Sequence, residues 1–370
     1  MENTPIVEEF IRMAKIDTAS RQERALADYV KGELAAMGFA VTEDDAAKHI
    51  EGATTGNVFA VLEGQAEGSV LFCAHLDRVQ NGLGIQPRFE GDNLVSDGTT
   101  ILAADDLSGV AAILDGMRRL VQSGEQHPRI EVLFSVCEEI GLRGSYHFDT
   151  GVVQSKIGYV LDSPGRIGRI LRSAMGKAQL FLEVHGEEAH AAYPERGKSA
   201  LNAAVKVLSR IEDGRVDDAT VINWSYLDSP TPCNTIPGHV MAKAFAMSRD
   251  NAKLADYIQK FHTAAAQVAQ ETGCRIETKD ILDYPAFRTE DDSSCVRLAQ
   301  RALRQMKLQP TVEDGAGGFD ANLLSRAGIE LVGLSTGYSG NHTVKETLVV
   351  EDLIQSGRMV TNIALEYGKL

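Results

Sequence analysis

Cysteine is scarce in this sequence, and its positions show no pattern. The five cysteines among 370 residues include no Cys-x-x-Cys pair: Cys73, Cys137, Cys233, Cys274 and Cys295. An odd, scattered set argues against a disulfide framework. It suits a reducing compartment, and we therefore expect a cytoplasmic protein.

Positive charge and long apolar runs are also lacking. Lysine and arginine number 37 against 52 acidic residues, which gives a net charge of −15. Because such a protein repels phosphate backbones, we expect no nucleic-acid partner. No apolar run approaches the roughly 18 residues of a transmembrane helix, so we expect no membrane association. The first twenty residues, MENTPIVEEFIRMAKIDTAS, predict an amphipathic helix rather than a signal peptide.

The remaining composition is typical of a globular protein. Hydrophobic residues make up 44% and charged residues 24% of the chain. These values exclude a disordered chain, a collagen-like chain and a small disulfide scaffold. The length predicts about two or three domains. No internal repeat, low-complexity tract or long linker is visible.

Helix and strand signals alternate at the beginning of the chain and again at its end. Helices are predicted at 6–14, 25–37, 107–121, 295–306 and 350–367, and strands at 57–62, 69–74, 130–136, 157–161 and 330–334. This alternation is typical of the α/β class, with a mixed, mostly parallel sheet between helices.

The segment between these regions follows a different pattern. Strands at 179–184, 221–226, 240–247 and 275–278 and helices at 199–211 and 254–271 give the order β-α-β-β-α-β. This order is typical of a ferredoxin-like α+β fold. We therefore predict a discontinuous catalytic domain at 1–172 and 289–370, with an inserted lid domain at 173–288. The amphipathic helix at 254–271 either packs on the lid sheet or pairs with a second subunit in a homodimer.

Acidic and imidazole side chains follow the predicted strands. The strand LFCA ends in His75-Leu76-Asp77, and residues two apart on an extended chain lie on the same side. One interpretation is a metal-binding histidine, with the carboxylate fixing its tautomer. The alternative is a simple hydrogen-bonded pair at the end of a strand. Asp105 and Asp106 precede a predicted helix, where carboxylates also serve as caps.

Further candidates follow the next strands. Glu138 and Glu139 come after the strand IEVLFSV and point in opposite directions, so that one could bind a metal ion while the other faces a substrate water. The alternative is a solvated strand end. Asp162 follows the strand IGYVL, and His342 lies in a loop after the strand ELVGL. Ligands bind at the carboxyl ends of strands in open α/β sheets, and two histidines with three carboxylates suit Zn²⁺.

The sequence resembles a known family, the di-zinc metallopeptidases that include aminoacylases, acetylornithine deacetylase, carnosinases and peptidase T. The matching stretches extend from residue 74 to residue 346: AHLDRV, SDGTTILAADDLSGV, SVCEEIGLRGS, YVLDSPG, HAAYPERGKSALNAA, CNTIPG, AMSRD, GGFDAN and GYSGNHTVKE. Together they cover most of the chain, and their combination is far more specific than any one of them.

The resemblance implies two divalent metal ions, zinc first, with manganese or cobalt as alternatives. His75 and Asp162 would bind one ion, Glu139 and His342 the other, and Asp105 would bridge both. Each ion then keeps an open position for a shared water, whose pKa the two ions lower until hydroxide is available near neutral pH.

The resemblance also implies roles for residues that bind no metal. Glu138 would act as the general base and acid, and Asp77 would orient His75. The peptide bond between Asp105 and Asp106 would be cis. The matching lid positions for substrate binding are His190, Asn234 and Arg249. Arg249 could bind a substrate carboxylate with both ends of its guanidinium, or it forms a surface ion pair.

The position of Asp162 indicates a branch of the family. Glutamate is common there in the deacylases and carboxypeptidases, whereas aspartate is typical of the peptidase T and carnosinase-like branch. The stretches LDSPGRIGRI and GGFDANLL also look most like the peptidase T group. We therefore expect a metal-dependent aminopeptidase that releases the N-terminal residue of tripeptides. The alternatives are a deacylase of N-acyl amino acids and a non-catalytic metal-binding or peptide-binding protein.

Overall fold

The computed structural model describes residues 4–369, so residues 1–3 and 370, the outer ends of the predicted catalytic domain, lie outside the described residues. The helices are Pro5–Ala14 (α1), Arg24–Ala36 (α2), Ala104–Ser123 (α3), Arg143–His147 (α4), Ala200–Leu208 (α5), Asn251–Thr272 (α6), Ser294–Gln305 (α7), Ala321–Leu324 (α8) and Val350–Tyr367 (α9). None of the helices in this range combines the length and the apolar surface needed to cross a bilayer.

The strands range from two to ten residues. They are Ala40–Glu43 (β1), Val58–Leu62 (β2), Ser69–His75 (β3), Arg88–Glu90 (β4), Asn93–Val95 (β5), Arg129–Ser135 (β6), Ile157–Ser163 (β7), Arg169–Ala174 (β8), Gly176–His185 (β9), Ala189–His190 (β10), Gly214–Arg215 (β11), Thr220–Asp228 (β12), Thr235–Ile236 (β13), His239–Ser248 (β14), Arg275–Tyr284 (β15), Phe287–Arg288 (β16), Thr311–Asp314 (β17), Glu330–Ser335 (β18), Tyr338–Ser339 (β19) and Thr347–Val349 (β20).

The chain divides into two compact units. The second unit comprises Met175–Phe287 together with Ala316–Gly318, and the first unit comprises the rest of the described residues. Each unit has its own cluster of buried apolar side chains.

The first unit is built on a nine-stranded mixed sheet. The strand order is β1-β2-β6-β3-β7-β18-β8-β16, and β17 also pairs with β8. The central neighbours β6, β3, β7 and β18 are parallel, whereas β1, β2 and β6 pair in antiparallel fashion. Residues Val70 to Ala74 of β3 are all fully buried, as expected for a strand covered on both faces. The helix α3 packs on β3 and β7, and α9 packs on α3. The α/β class predicted from the sequence is confirmed.

A second, small sheet in the first unit was not predicted. It has the order β19-β20-β5-β4, and its strands are only two or three residues long. Strands of this length are too short to produce an alternating pattern in the sequence. The sheet matters for the site because residues 340–346 form the loop between β19 and β20.

The second unit contains a five-stranded antiparallel sheet in the order β11-β12-β14-β9-β15. Its longer elements follow the order β9-α5-β12-β14-α6-β15 along the chain. Side chains of β9 alternate: those of Leu180, Leu182 and Val184 are buried, and those between them are partly exposed. The helices α5 and α6 contribute to the same apolar cluster, so they cover one face of the sheet.

A fully buried arginine fixes the segment that follows α1. The guanidinium of Arg78 donates hydrogen bonds to the main-chain carbonyls of Ala14, Ile16 and Gly82 at 2.6–3.1 Å and to the hydroxyl of Thr18 at 2.9 Å. Burial lowers its pKa to about 10. The N–H groups of the guanidinium are therefore bound by carbonyl and hydroxyl oxygens rather than by a carboxylate.

We expect the substitution Arg78→Met to lower the free energy of unfolding by about 3 kcal/mol, because several buried carbonyls lose their donors. The matched control is Arg88→Met on β4, where the side chain is 60% exposed. We expect the control to change stability by less than about 0.5 kcal/mol. Urea unfolding measures both, and equal effects of the two substitutions would contradict this account.

Candidate metal centre

Three neighbouring parallel strands of the first unit bring candidate residues to one edge. His75 is the last residue of β3, Asp162 lies one residue before the end of β7, and Glu138 and Glu139 follow the end of β6. Because β6, β3 and β7 are adjacent and parallel, their carboxyl ends meet, and this is the edge where α/β sheets bind ligands.

Asp105 and His342 reach the same place from other elements. Asp105 is the second residue of α3, and His342 lies in the loop between β19 and β20. One carboxylate oxygen of Asp105 (Oδ1) is 3.2 Å from Nε2 of His75, and the other (Oδ2) is 3.2 Å from Nε2 of His342. The carboxylate of Asp105 therefore lies between two imidazoles, with one oxygen directed to each.

Two groups of three donor atoms result, and they share Asp105. His75, Asp105 and Asp162 form one group, and Asp105, Glu139 and His342 form the other; within each, the donor atoms lie within 4.8 Å of one another. Nε2 of His75 is 3.9 Å from Oδ2 of Asp162, and Nε2 of His342 is 3.0 Å from Oε1 of Glu139. The structure thus brings together all five residues that the sequence singled out as ligands.

Burial sets the electrostatics of these groups. It raises the pKa values of Glu138 and Asp162 well above those of ordinary carboxyl groups. Burial also acts to raise the pKa of Asp105, but hydrogen bonds from His342 and His75 outweigh it and lower the pKa. The hydrogen bonds to Asp105 and Glu139 raise the pKa of His342 to about 10.

This set of side chains fits divalent cations. Four carboxylates share the site with two imidazoles, so negative groups exceed the groups that can carry positive charge. Carboxylates buried in this way are stabilised when they are paired or coordinate a metal. Nitrogen and oxygen donors at these separations suit Zn²⁺ and related ions.

Asp77 contacts both His75 and the two glutamates of the site. Nδ1 of His75 is 3.0 Å from the main-chain oxygen of Asp77 and 3.5 Å from its carboxylate. The carboxylate accepts hydrogen bonds from the main-chain N–H groups of Glu138 at 2.8 Å and Glu139 at 3.2 Å, and from the hydroxyl of Ser20. Asp77 therefore lies against His75 with both its backbone and its carboxylate, and the carboxylate also holds the main-chain N–H groups of the two glutamates.

Glu346 supports Asp105, a role that was not predicted from the sequence. One of its carboxylate oxygens accepts hydrogen bonds from the N–H groups of Leu102 and Ala103 at 2.8 Å, and the other accepts from the N–H of Asp105 at 2.9 Å. Burial raises the pKa of Glu346 to about 7. The residue ends the stretch GYSGNHTVKE, but its partners lie more than 240 positions away.

Two more side chains orient the carboxylates. The amide of Asn341 donates to Oδ2 of Asp105 at 2.7 Å, and the hydroxyl of Tyr338 donates to Oδ1 of Asp162 at 2.9 Å. Neither residue was assigned a role from the sequence. Such contacts fix the direction in which a ligand oxygen points.

The backbone at the site has unusual conformations. The peptide bond between Asp105 and Asp106 is cis, as the resemblance implied. The non-glycine residues with positive φ angles include Ala103 at 59°, Cys137 at 54° and His342 at 62°. A positive φ at a non-glycine residue costs of order 1 kcal/mol and persists where the surrounding structure holds it in place.

The three predicted substrate-binding residues lie in the second unit. His190 is in β10, which pairs with β13, and the main-chain oxygen of Asn234 accepts a hydrogen bond from Ala191. Arg249 directly follows β14, and its guanidinium contacts the main-chain oxygen of Asp218. His190 and Asn234 are therefore close in this unit, whereas Arg249 is bound to a different loop.

We expect Glu346→Gln to lower the free energy of unfolding by about 2 kcal/mol. The glutamine side chain keeps one acceptor oxygen, but its NH₂ group replaces the other oxygen and faces a main-chain N–H that then has no acceptor. Glu351→Gln is the control, since this residue of α9 is exposed and its carboxylate accepts a hydrogen bond from the side chain of Gln355. Urea unfolding of chelator-treated protein makes the comparison. A Glu346 variant as stable as the control would show that the three hydrogen bonds contribute nothing.

Comparisons with known proteins identify the family. The family model described as Peptidase family M20/M25/M40 matches residues 71–366. The chain is similar to the aminopeptidase PepT of Bacillus cereus ATCC 10987 (TM-score 0.93, 32% identity, 98% of this chain and 97% of that one). It is also similar to a tripeptidase of Staphylococcus aureus subsp. aureus Mu50 (TM-score 0.95, 27% identity, 99% and 98%). Peptidase T of Shouchella clausii is 25% identical over 97% of both chains. The resemblance inferred from the motifs is confirmed, and the chain belongs to Peptidase family M20/M25/M40.

Proposed function

We propose that this member of the peptidase family is a metal-dependent aminopeptidase that releases the N-terminal residue of tripeptides. The proposal rests on one observation: the carboxylate of Asp105 lies between two imidazoles. Two groups of three possible metal ligands therefore share this carboxylate. The names of two similar proteins, an aminopeptidase PepT and a tripeptidase, support the choice of substrate.

The residues divide between two divalent ions, with zinc as the first choice and manganese or cobalt as alternatives. His75 and Asp162 would hold one ion, Glu139 and His342 would hold the other, and Asp105 would be available to both. When bound, such ions supply Lewis acidity, which polarises a peptide carbonyl and lowers the pKa of a water molecule.

Glu138 is the general base and acid in this proposal. Its carboxylate oxygen lies within 4.8 Å of donor atoms of His75 and Glu139, and the residue is only 7% exposed. The Asp77 carboxylate holds the main-chain N–H of Glu138 at 2.8 Å, which limits the movement of the base. From this position Glu138 takes a proton from the attacking water and later donates it to the leaving amine.

The substrate also needs groups that bind its ends. His190, Asn234 and Arg249 serve here, with Arg249 available to bind a peptide carboxylate through two parallel hydrogen bonds. Asn234 lies five residues before His239, the first residue of β14, and the segment of His190 is hydrogen-bonded to Asn234. Arg249 follows Ser248, the last residue of β14. The ten residues of β14 separate these ends by about 30 Å. This separation supports a homodimer paired through the second unit, in which two copies supply the two sets of residues.

A cytosolic location fits the same proposal. All five cysteines are free thiols, and four of them are buried. Free thiols are typical of proteins in a reducing compartment. Short peptides released by intracellular proteolysis are then the available substrates.

We expect Glu138→Gln to lower kcat for tripeptides by about 1,000-fold while metal content stays unchanged, because the amide cannot transfer the proton. The control is Glu90→Gln, an exposed residue of β4, which should keep wild-type activity. Stopped assays and elemental analysis of dialysed protein make the comparison. A Glu138 variant that keeps a tenth of the activity would exclude this residue as the base.

We expect free tripeptides to be cleaved into the N-terminal amino acid and a dipeptide, and the same tripeptides with acetylated N-termini to resist. Mass spectrometry of a peptide library, incubated with Zn²⁺, Mn²⁺ or Co²⁺, identifies the products. Release of amino acids from N-acetyl amino acids, with no cleavage of dipeptides or tripeptides, would replace the peptidase proposal with a deacylase. Metal-loaded protein that cleaves neither class would indicate a binding protein.

A further inference from the structure

Another cluster of possible metal ligands lies in the second unit, on the face of the sheet that the helices leave uncovered. It consists of Glu183 and His185 on β9 and His239 on β14, and it shares no residue with the groups described above. His185 and His239 are direct partners in the register of the two antiparallel strands. Glu183 precedes His185 by two residues, so both side chains point to the same face.

The distances in this cluster match those between ligands of one small cation. Nε2 of His239 is 2.8 Å from Oε1 of Glu183, Nε2 of His185 is 3.4 Å from the same oxygen, and the donor atoms all lie within 4.8 Å of one another. Tetrahedral Zn²⁺ with bonds of about 2.0–2.1 Å places its ligand atoms roughly 3.3 Å apart. Small side-chain rotations are therefore enough to produce that geometry.

The surroundings allow an ion to enter. The three side chains are 30–43% exposed, so a hydrated ion reaches them from solvent. The hydrogen bond with His239, the nearby imidazoles and the charge of Arg275 lower the pKa of Glu183. Arg275 faces His185 from β15, but it forms an ion pair with Glu277. The cluster thus offers two imidazole nitrogens and one carboxylate oxygen, and it leaves a fourth position open for water.

We propose that Glu183, His185 and His239 form a binding site for a divalent transition-metal ion of the Zn²⁺ type. The ion links β14, the central strand of the five-stranded sheet, to its neighbour β9. Its ligands come from side chains that are already partners across these strands, so binding requires little ordering of the chain. The site is separate from the proposed reaction and does not depend on it.

The decisive measurement is a difference in zinc content at a fixed free Zn²⁺ concentration. We expect His185→Ala and His239→Ala each to bind one equivalent of Zn²⁺ per chain less than the wild type in equilibrium dialysis. His262→Ala is the control, because this histidine of α6 contacts Thr278 and Asp280 and lies outside the cluster. It should bind as much zinc as the wild type. Because only the difference between variants is used, the result does not depend on how many ions the first unit holds.

A residue-specific measurement complements the dialysis. Zn²⁺ should protect His185 and His239 from modification by diethyl pyrocarbonate, as mapped by mass spectrometry, and the protection should disappear in Glu183→Ala. Equal zinc content in the wild type and both histidine variants would overturn the proposal, as would equal reactivity of the two histidines with and without Zn²⁺. Loss of tripeptide cleavage by Glu138→Gln has no bearing on either result, so the two proposals fail independently.

Discussion

The position of the Asp105 carboxylate is the constraint on which the rest of the site depends. Its two oxygens face different histidines, and each histidine belongs to a different group of donors. A rotation of this one carboxylate would separate the two groups from each other. Its backbone N–H is held by Glu346 and one oxygen by Asn341, so both the main chain and the side chain are restrained. A group that must serve two partners tolerates less displacement than one that serves a single partner.

Much of the sheet could be predicted from the sequence, because its central strands are short, continuous apolar runs. The segment 69–74 was recognised as a buried strand, and His75 directly follows it as the last residue of β3. Similar reasoning located Glu138, Glu139 and Asp162, since parallel strands end at the same edge. Asp105, before a predicted helix, and His342, in a loop, were also candidates from the sequence, and the family resemblance then implied how the five residues divide between two ions.

There are physical reasons why other features could not be predicted from the sequence. Glu346 contacts N–H groups more than 240 positions away, and one sequence does not reveal such pairings. The role of the Asp77 side chain depends on how the chain turns after β6, where Cys137 adopts a positive φ that the residue type does not favour. The pairing of His185 with His239 depends on strand register, which side-chain packing determines only in the folded protein.

The distances along the chain between these partners have a consequence for biosynthesis. The donor group of Asp105, Glu139 and His342 spans 237 positions, from 105 to 342, and Glu346 lies four positions further on. Ribosomes deliver chains from the N-terminus at roughly 5–20 residues per second. A nascent chain therefore carries the first three strands of the site for many seconds before residues 342–346 emerge. During that interval the donor group around Asp105 lacks His342, so its complete arrangement can form only late in synthesis.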